Sequence, residues 1–246
     1  MCHEPDSRPP APPVVGAVAA HGPIALTATD GTALTAYGAT PAEARGTSIV
    51  ILPDVRGLHP YYRDLAVRFA EAGYETVALD YFDRLVGPGE RGDDFDYKPL
   101  VDQVRAEDVA ADVRVAADDL ASRGAGPTFT VGFCMGGGLS WRMSAAVPEL
   151  AGVIGFYGIL RRASDVVDQL ERPLLMLLGS EDKATPPADF DAFTERLDER
   201  DVRYEKYVYD GAPHSFFDRS FAEHAEACAD AWQRILHFTD RHGGRV

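Results

Sequence analysis

The sequence has little positive charge, few cysteines and no long apolar run. Asp and Glu total 39 against 24 Lys and Arg, which gives a net charge of −15 at pH 7. Such a surface repels nucleic-acid backbones and anionic lipid, so we expect no nucleic acid and no membrane as a partner. No apolar run approaches the roughly 18 residues that a membrane-spanning helix needs. These absences leave a small molecule as the expected partner.

Cysteine occurs only as Cys2, Cys134 and Cys228, and no two of these form a CxxC pair. An odd number of cysteines in a long chain favours a reducing compartment over a disulfide framework. The N-terminus lacks the basic leader of a signal peptide, so we expect a cytoplasmic protein. None of the seven histidines has an HExxH or similar metal-ligand spacing, and we expect neither a metal nor a cofactor.

Proline is concentrated near the N-terminus, where residues 1–23 contain six of the 17 prolines. Because proline removes backbone donors, we expect this segment to form a flexible, extended arm. Residues 24–246 show no internal repeat and no second linker. Since 46% of the chain is hydrophobic, a sizeable core can form, and we expect one globular domain that exists as a monomer or a homodimer.

Short apolar runs alternate with helical patterns along the chain. The turn signal Asp30-Gly31 between Ile24–Thr29 and Leu34–Tyr37 predicts a hairpin. Further strands are predicted at Ser48–Leu52, Glu75–Leu79, Thr128–Phe133, Gly152–Phe156, Leu174–Leu178 and Arg203–Tyr209. Helices are predicted at Asp64–Ala72, Ala106–Ser122, Gly137–Ala146, Asp189–Asp198 and Phe221–Arg241. This alternation is typical of an α/β fold with a mostly parallel central sheet and helices on both faces.

A glycine-flanked turn follows the predicted strand Thr128–Phe133. Gly132, Cys134 and Gly136 form a Gly-x-nucleophile-x-Gly pattern, which places one side chain on a strained corner between a strand and a helix. The N–H groups at the start of the helix favour a thiolate and a developing oxyanion. The alternative is a buried structural cysteine beside a glycine-rich phosphate loop, although the Lys-Ser/Thr pair of a P-loop is missing.

A thiol nucleophile needs a base, and the base needs an acid that orients it. Hydrolases of this architecture carry them in the order nucleophile, acid, base. Asp182 follows the strand Leu174–Leu178 and His214 follows the last predicted strand, so we expect both at the sheet edge that carries Cys134. Alternatively, Asp182 caps a turn and Glu181 is the acid, or His214 is a hydrogen-bonded loop histidine.

These motifs resemble those of the dienelactone hydrolase family of α/β-hydrolases, from about Ile24 to Phe238. The resemblance rests on Gly132-Phe-Cys-Met-Gly-Gly, Gly179-Ser-Glu-Asp182, Gly211-Ala-Pro-His214-Ser-Phe and Leu79-Asp-Tyr-Phe-Asp-Arg84. It implies an α/β-hydrolase fold and a triad that opens a lactone or an ester through an acyl-enzyme. In this triad Cys134 is the nucleophile, His214 the base and Asp182 the acid, and a carboxylate-bearing enol-lactone is one candidate substrate.

The resemblance also implies how the site is completed. The backbone N–H groups of Val55 and Met135 are expected to form the oxyanion hole, where each donor contributes about 3 kcal/mol to transition-state stabilisation. Asp54 aligns with a family carboxylate that modulates the thiol, although the family residue is Glu and Asp is one methylene shorter. The alternative for Asp54 is a helix cap or an ion pair with Arg56.

The family holds a substrate carboxylate with two arginines, and Arg84 matches one of them. The second falls near Asp218, where the charge is reversed, so Arg56 or Arg219 is expected to replace it. The alternative for Arg84 is a salt bridge to a nearby aspartate, Asp80 or Asp83.

Tyr157 and Ser215 are also assigned to substrate binding. Tyr157, together with Trp141 and Phe216, either lines an apolar pocket or belongs to the core. The polar, glycine-rich segment Val86–Pro99 is either a mobile lid or a solvated loop. Two other functions fit the same pattern: a general carboxylesterase or thioesterase acting on neutral substrates, and a non-catalytic thiol sensor.

Overall fold

The computed structural model describes residues 7–218 and 220–244. Within them, eight strands form one sheet: β1 (Val18–Thr27), β2 (Ala33–Pro41), β3 (Ser48–Leu52), β4 (Glu75–Leu79), β5 (Thr128–Phe133), β6 (Gly152–Phe156), β7 (Leu174–Gly179) and β8 (Tyr204–Tyr209). The α-helices are α1 (Pro60–Glu71), α2 (Asp83–Val86), α3 (Ala106–Ser122), α4 (Met135–Ala146), α5 (Asp191–Asp198) and α6 (Ala225–His242).

The strand order is β1-β2-β4-β3-β5-β6-β7-β8. The β2 strand pairs antiparallel with β1 and with β4, whereas all other neighbours are parallel. Every residue of β3, β5, β6 and β7 is buried, which explains why these strands are continuous apolar runs without alternation. The mostly parallel sheet predicted from the sequence is therefore confirmed.

Two apolar clusters cover the two faces of the sheet. On one face, α3, α4 and α5 contribute residues such as Val113, Leu139 and Leu197. On the other face, α1 and α6 pack together, and the rings of Phe69 and Trp232 are 4.8 Å apart. The three-layer arrangement fixes the central strands rigidly, so the loops at their carboxyl ends start from well-defined positions.

Of the predicted arm, residues 1–6 lie outside the described residues, and residues 7–23 contact the body of the protein. The β1 strand begins at Val18, inside the segment 1–23, and it contains Pro23; β1 is an edge strand, which is where sheets tolerate proline. Before β1, the Gly16 N–H donates to the Glu71 carbonyl at 2.7 Å. The Trp232 indole N–H donates to the Pro10 carbonyl at 3.2 Å. Proline lacks a donor, but its carbonyl still accepts and its ring still packs.

The topology brings one set of loops to a single edge. Because β3, β5, β6, β7 and β8 run parallel, the loops that follow them open on the same side, where sites of such sheets lie. These loops carry Asp54, Cys134, Tyr157, Asp182 and His214. Across residues 7–218 and 220–244, no helix combines the length and the apolar character that would allow it to cross a membrane.

Candidate active site

Cys134 occupies the corner between β5 and α4. Its backbone has φ 53° and ψ −112°, a region that side-chain-bearing residues rarely adopt. A β-carbon at Gly132 would lie 1.9 Å from the Gly136 carbonyl oxygen, and one at Gly136 would lie 2.1 Å from the Leu52 carbonyl oxygen. Only glycine fits at these two positions, so the Gly-x-Cys-x-Gly pattern is the one that this tight strand-to-helix turn requires.

His214 and Asp182 are joined by a hydrogen bond of 2.7 Å between Nδ1 and Oδ2. The N–H groups of Ala184 and Thr185 donate to Asp182 Oδ1 at 2.8 and 2.9 Å, and the Thr185 hydroxyl donates to Oδ2. Burial raises the pKa of Asp182, but the hydrogen bonds from His214 and Thr185 outweigh it and hold the pKa below the usual value. Glu181 is exposed, and the carboxylate that hydrogen-bonds to His214 is that of Asp182.

Tyr157, at the end of β6, connects the two halves of the site. Its ring centroid lies 4.8 Å from that of His214 and 6.3 Å from that of Phe133, the residue before Cys134. Tyr157 and Ser215 have φ 37° and 64°, and their exposed fractions are 1% and 2%. Strained backbone of this kind concentrates at functional sites. The burial of both side chains favours packing beneath the site over direct substrate contact.

Trp141 and Phe216 belong to the core. Both are completely buried, and the Trp141 indole N–H donates to the Leu175 carbonyl at 3.1 Å. Of the two alternatives drawn from the sequence for these side chains, the structure supports the core.

The expected oxyanion-hole donors lie on adjoining segments. Met135 is the first residue of α4, so its N–H has no acceptor within the helix. Val55 lies in a tight turn in which the Gly57 N–H donates to the Asp54 carbonyl at 3.2 Å, and Gly57 has φ 69°. Because the carbonyls of Leu52 and Pro53 closely approach Gly136, this turn packs against the start of α4.

Asp54 and Arg56 form an ion pair inside the turn. The Arg56 backbone N–H and Nε–H donate to Asp54 Oδ1 at 3.0 and 3.1 Å, and Nη2 donates to Oδ2. Arg56 Nη2 also lies 3.7 Å from Asp218 Oδ2. Burial lowers the pKa of Arg56, but the charge of Asp54 and its hydrogen bond outweigh that effect and raise it. The expected substrate-binding role of Arg56 is therefore not supported, because its guanidinium is buried between two carboxylates.

Arg84 is also engaged by carboxylates. Its Nη2 and Nε donate to Asp112 Oδ1 at 2.6 and 3.0 Å, and its Nη1 donates to Asp30 Oδ2 at 2.6 Å. This is a correction to the expectation that Arg84 binds a substrate carboxylate, since the network occupies its nitrogens. The alternative partners Asp80 and Asp83 instead pair with Arg91, at 2.7 and 2.9 Å. Arg219, the other candidate arginine, lies outside the described residues.

The glycine-rich segment after α2 is anchored to the body of the protein. Arg91 within it is buried against Asp80 and Asp83, and Asp93 lies 2.9 Å from the His59 imidazole. Neither contact was anticipated from the sequence, because each joins residues whose proximity depends on the fold. These contacts hold the segment against the protein, so it matches neither a simple solvated loop nor an unattached lid.

Arg162 is a residue near the candidate site that no sequence motif singled out. It follows β6, and its guanidinium donates to the carbonyls of Val101 and Val104 at 2.9 and 3.1 Å. Its Nη2 also lies 3.5 Å from Met135 Sδ. Burial lowers the pKa of Arg162. The only feature of the sequence that could have pointed to Arg162 is its position after a predicted strand, and many other arginines in loops share that feature.

Among the described residues, neither a metal-binding cluster nor the surface depression beside α6 identifies a ligand. Among residues 7–218 and 220–244, no group of three or more His, Cys, Asp and Glu side chains is arranged to hold a metal ion. A surface depression of about 550 Å³ lies between the end of β8 and the start of α6, and it contains none of the expected site residues. The backbone strain and the hydrogen bonding at Cys134, Asp182 and His214 locate the site more directly than this depression.

Comparison with known proteins gives a consistent picture. Residues 34–243 match the model of the dienelactone hydrolase family. A carboxymethylenebutenolidase of Rhodococcus opacus is 29% identical, over 98% of this chain and 97% of that protein. A crystal structure named "Putative Dienelactone Hydrolase", from Klebsiella pneumoniae, covers 91% of this chain and 98% of its own with 27% identity and a TM-score of 0.79. An esterase of Pyrococcus furiosus, with 17% identity and a TM-score of 0.66 over 95% and 100% of the two chains, shares the fold.

Proposed function

Because this chain belongs to the dienelactone hydrolase family, we propose that it hydrolyses a lactone or an ester through a triad of Cys134, His214 and Asp182. The observation that carries the proposal is the hydrogen bond of 2.7 Å between His214 Nδ1 and the buried Asp182. A buried carboxylate in this position fixes the tautomer in which Nδ1 carries the proton and Nε2 acts as the base. The strained corner at Cys134 and the name of the Rhodococcus opacus relative, a carboxymethylenebutenolidase, give further support.

The first half of the proposed reaction forms an acyl-enzyme. His214 Nε2 takes the proton of the Cys134 thiol, and the sulfur forms a bond to the substrate carbonyl carbon. The electron pair displaced onto the carbonyl oxygen is stabilised by the N–H groups of Val55 and Met135. When the tetrahedral intermediate collapses, the carbon–oxygen bond breaks and the leaving oxygen receives the proton from His214. In a lactone this oxygen stays attached to the acyl chain.

The second half releases the acid. His214 takes a proton from water, the hydroxide oxygen attacks the thioester carbon, and the carbon–sulfur bond breaks. The proton returns from His214 to the sulfur, which restores the resting enzyme. Thiolates expel good leaving groups readily, so enol-lactones and aryl esters suit this chemistry better than amides.

Substitution of the triad tests the proposal. With p-nitrophenyl acetate and an enol-lactone as substrates, Cys134→Ala and His214→Ala are each expected to lower kcat by at least about 10³-fold, because neither nucleophile nor base can be replaced. Asp182→Asn should leave the fold intact and lower kcat by about 10³- to 10⁴-fold, because the histidine tautomer is then wrong. Hydrolysis at the wild-type rate by the Cys134→Ala protein would reject the assignment.

Alkylation distinguishes an enzyme from a thiol sensor. Iodoacetamide is expected to modify Cys134 and not Cys228, because burial raises the pKa of Cys228 to about 12 and its thiol donates to the Phe216 carbonyl. Peptide mapping by mass spectrometry identifies the modified residue and separates Cys134 from Cys2. Loss of ester hydrolysis in proportion to Cys134 modification supports the enzyme. Stoichiometric modification of a protein that never showed turnover supports the sensor.

A general carboxylesterase acting on neutral substrates is the second candidate. It is favoured by one observation: Arg56 and Arg84, the two arginines expected from the sequence that lie among the described residues, already pair with aspartates. Comparing kcat/KM for a neutral ester and for the same ester bearing a carboxylate decides between the two. A clear preference for the carboxylated ester would remove this candidate.

A further inference from the structure

Arg56 stands between the two loops that supply the oxyanion donor and the base. Asp54 and Arg56 flank Val55 in the turn after β3, whereas Asp218 closes the turn that follows His214, with its N–H donating to the Ser215 carbonyl at 3.0 Å. The side chains of Asp54, Arg56 and Asp218 are 1%, 10% and 2% exposed. The guanidinium therefore joins these two loops in a region that water hardly reaches.

The contacts of Arg56 constrain Val55 directly. Asp54 Oδ1 accepts the Arg56 backbone N–H at 3.0 Å, which closes a side-chain-to-backbone ring around Val55. The same carboxylate binds the guanidinium through Nε and Nη2, so the side chain of Arg56 folds back over its own turn. A planar guanidinium bound in this bidentate way has little rotational freedom. The direction of the Val55 N–H is thereby fixed.

A second contact joins the same segments independently. The Tyr61 hydroxyl, at the start of α1, donates to the Phe217 carbonyl at 2.8 Å. Burial, together with the charge of Asp218, raises the pKa of Tyr61 well above its usual value, so its hydroxyl keeps the donated proton even at alkaline pH. Since Phe217 adjoins Asp218, the chain after β3 holds the loop of His214 at two neighbouring points.

We propose that Arg56 is a positioning residue that fixes the Val55 N–H and His214 relative to each other, through its ion pairs with Asp54 and Asp218. This inference rests on the proposed function, because the oxyanion donor and the base matter only if a carbonyl is attacked at Cys134. Arg56 touches neither substrate nor sulfur in this role. It maintains the distance between the Val55 N–H and His214. Loss of Arg56 changes that distance but leaves both groups present.

The test compares two reactions of the same sulfur. Ester hydrolysis needs the oxyanion hole, whereas alkylation by iodoacetamide displaces iodide at a saturated carbon and develops no oxyanion. In Arg56→Met, kcat for p-nitrophenyl acetate is expected to fall about 100-fold, the loss that a misplacement of about 1 Å causes. KM and the alkylation rate of Cys134 are each expected to change by less than about threefold. A raised KM with unchanged kcat would identify a substrate-binding residue and overturn the proposal.

Three companion variants separate positioning from a general loss of structure. Arg45→Met is the matched control, because it removes an arginine that binds Asp240 through two contacts of 2.7 and 2.8 Å, outside the loops of the site. Its kcat should match the wild type. Arg56→Lys should recover only part of the activity, since an ammonium cannot form the bidentate contact. If Arg56→Met does not fold, Asp218→Asn retains the Arg56–Asp54 pair and is expected to lower kcat about tenfold at constant KM.

Hydrogen exchange supplies a readout that does not depend on turnover. Peptides covering residues 53–57 and 214–218 are expected to exchange faster together in Arg56→Met or Asp218→Asn, and neither should change in Arg45→Met. Wild-type kinetics together with unchanged exchange in either segment would overturn the inference. A wild-type protein that hydrolyses no ester would instead overturn the proposed function, while the exchange of the two segments would still test their coupling.

Discussion

At the scale of single residues, the fold destabilises the charged form of one buried aspartate, Asp80. It is 3% exposed, at the end of β4, and its Oδ2 lies 2.7 Å from Arg91 Nε. Burial raises its pKa to about 7; Arg91 opposes that rise and the nearby Asp83 adds to it. Because Arg91 alone faces the two buried carboxylates of Asp80 and Asp83 in these ion pairs, the folded state is stabilised when Asp80 binds a proton.

This shift predicts how stability depends on pH. Because the folded pKa lies above the usual 3.8, the folded chain binds a proton more tightly than the unfolded chain between about pH 4 and about pH 7. The free energy of unfolding should therefore fall as the pH rises through this window, by at most about 1.4 kcal/mol per pH unit. In Asp80→Asn this contribution is absent, so the stability of wild type relative to the variant should decline with pH.

Urea unfolding at several pH values measures this difference. The stability of wild type minus that of Asp80→Asn should fall from about pH 4 to about pH 7 and then stay constant. Glu149→Gln, at an exposed position, serves as the control for an amide that replaces an acid. A difference that grows with pH would mean that Arg91 stabilises the charged form more than burial penalises it.

At the scale of elements, the corner between β5 and α4 depends on the close approach of α4 to the loop after β3. A β-carbon at Gly136 would lie 2.1 and 2.2 Å from the carbonyl oxygens of Leu52 and Pro53, which are backbone atoms and cannot rotate away. Gly136→Ala is therefore expected to push the start of α4 away from that loop. It should cost about 1–3 kcal/mol of stability and at least about tenfold in kcat.

Thermal unfolding and ester hydrolysis check this expectation. Gly22→Ala in β1 is the matched control, because a β-carbon there meets nothing within 4 Å. Its stability should stay within about 0.5 kcal/mol of the wild type, with unchanged kcat. Full activity of Gly136→Ala would show that the oxyanion donors tolerate a displacement of the helix.

Most elements follow from local patterns in the sequence. Apolar runs predict β3, β4, β5 and β6 residue for residue, and α3 as well, because burial on both faces and helical periodicity are properties of neighbouring residues. By contrast, α1 begins at Pro60 rather than at Asp64, since its cap is His59, which is not among the preferred capping residues. The short helix α2 has too few residues to show a period.

The candidate site likewise contains features that the sequence predicts and contacts that it does not. The corner at Cys134 is encoded by adjacent glycines, and the meeting of Asp182 with His214 follows from the direction of parallel strands. The partners of the arginines could not be predicted, because they are set by long-range packing. Arg84, for example, meets Asp30 and Asp112, which are 54 and 28 residues away along the chain.

At the scale of the whole molecule, Arg84 ties three parts of the fold together. It lies in α2 and binds both Asp112 of α3 and Asp30 in the turn between β1 and β2. Its side chain is 10% exposed and that of Asp112 is 4% exposed, so loss of the guanidinium leaves a buried carboxylate without its main partner. Because this network contains no member of the proposed triad, we expect its loss to change stability and to leave the reaction at the thiol unchanged.

Arg84→Met is therefore expected to lower the free energy of unfolding by about 2 kcal/mol, less than for a completely buried pair because Asp30 is half exposed. Urea unfolding measures this loss, and Arg196→Met, which removes an exposed pair with Asp168, should cost less than about 1 kcal/mol. The ratio of kcat/KM for carboxylated and neutral esters should equal that of the wild type, because the nitrogens of Arg84 are committed to aspartates. If Arg84→Met instead lowered kcat/KM for the carboxylated ester alone, Arg84 would release Asp112 and bind the carboxylate of the substrate. The network would then contribute to substrate recognition and not only to stability.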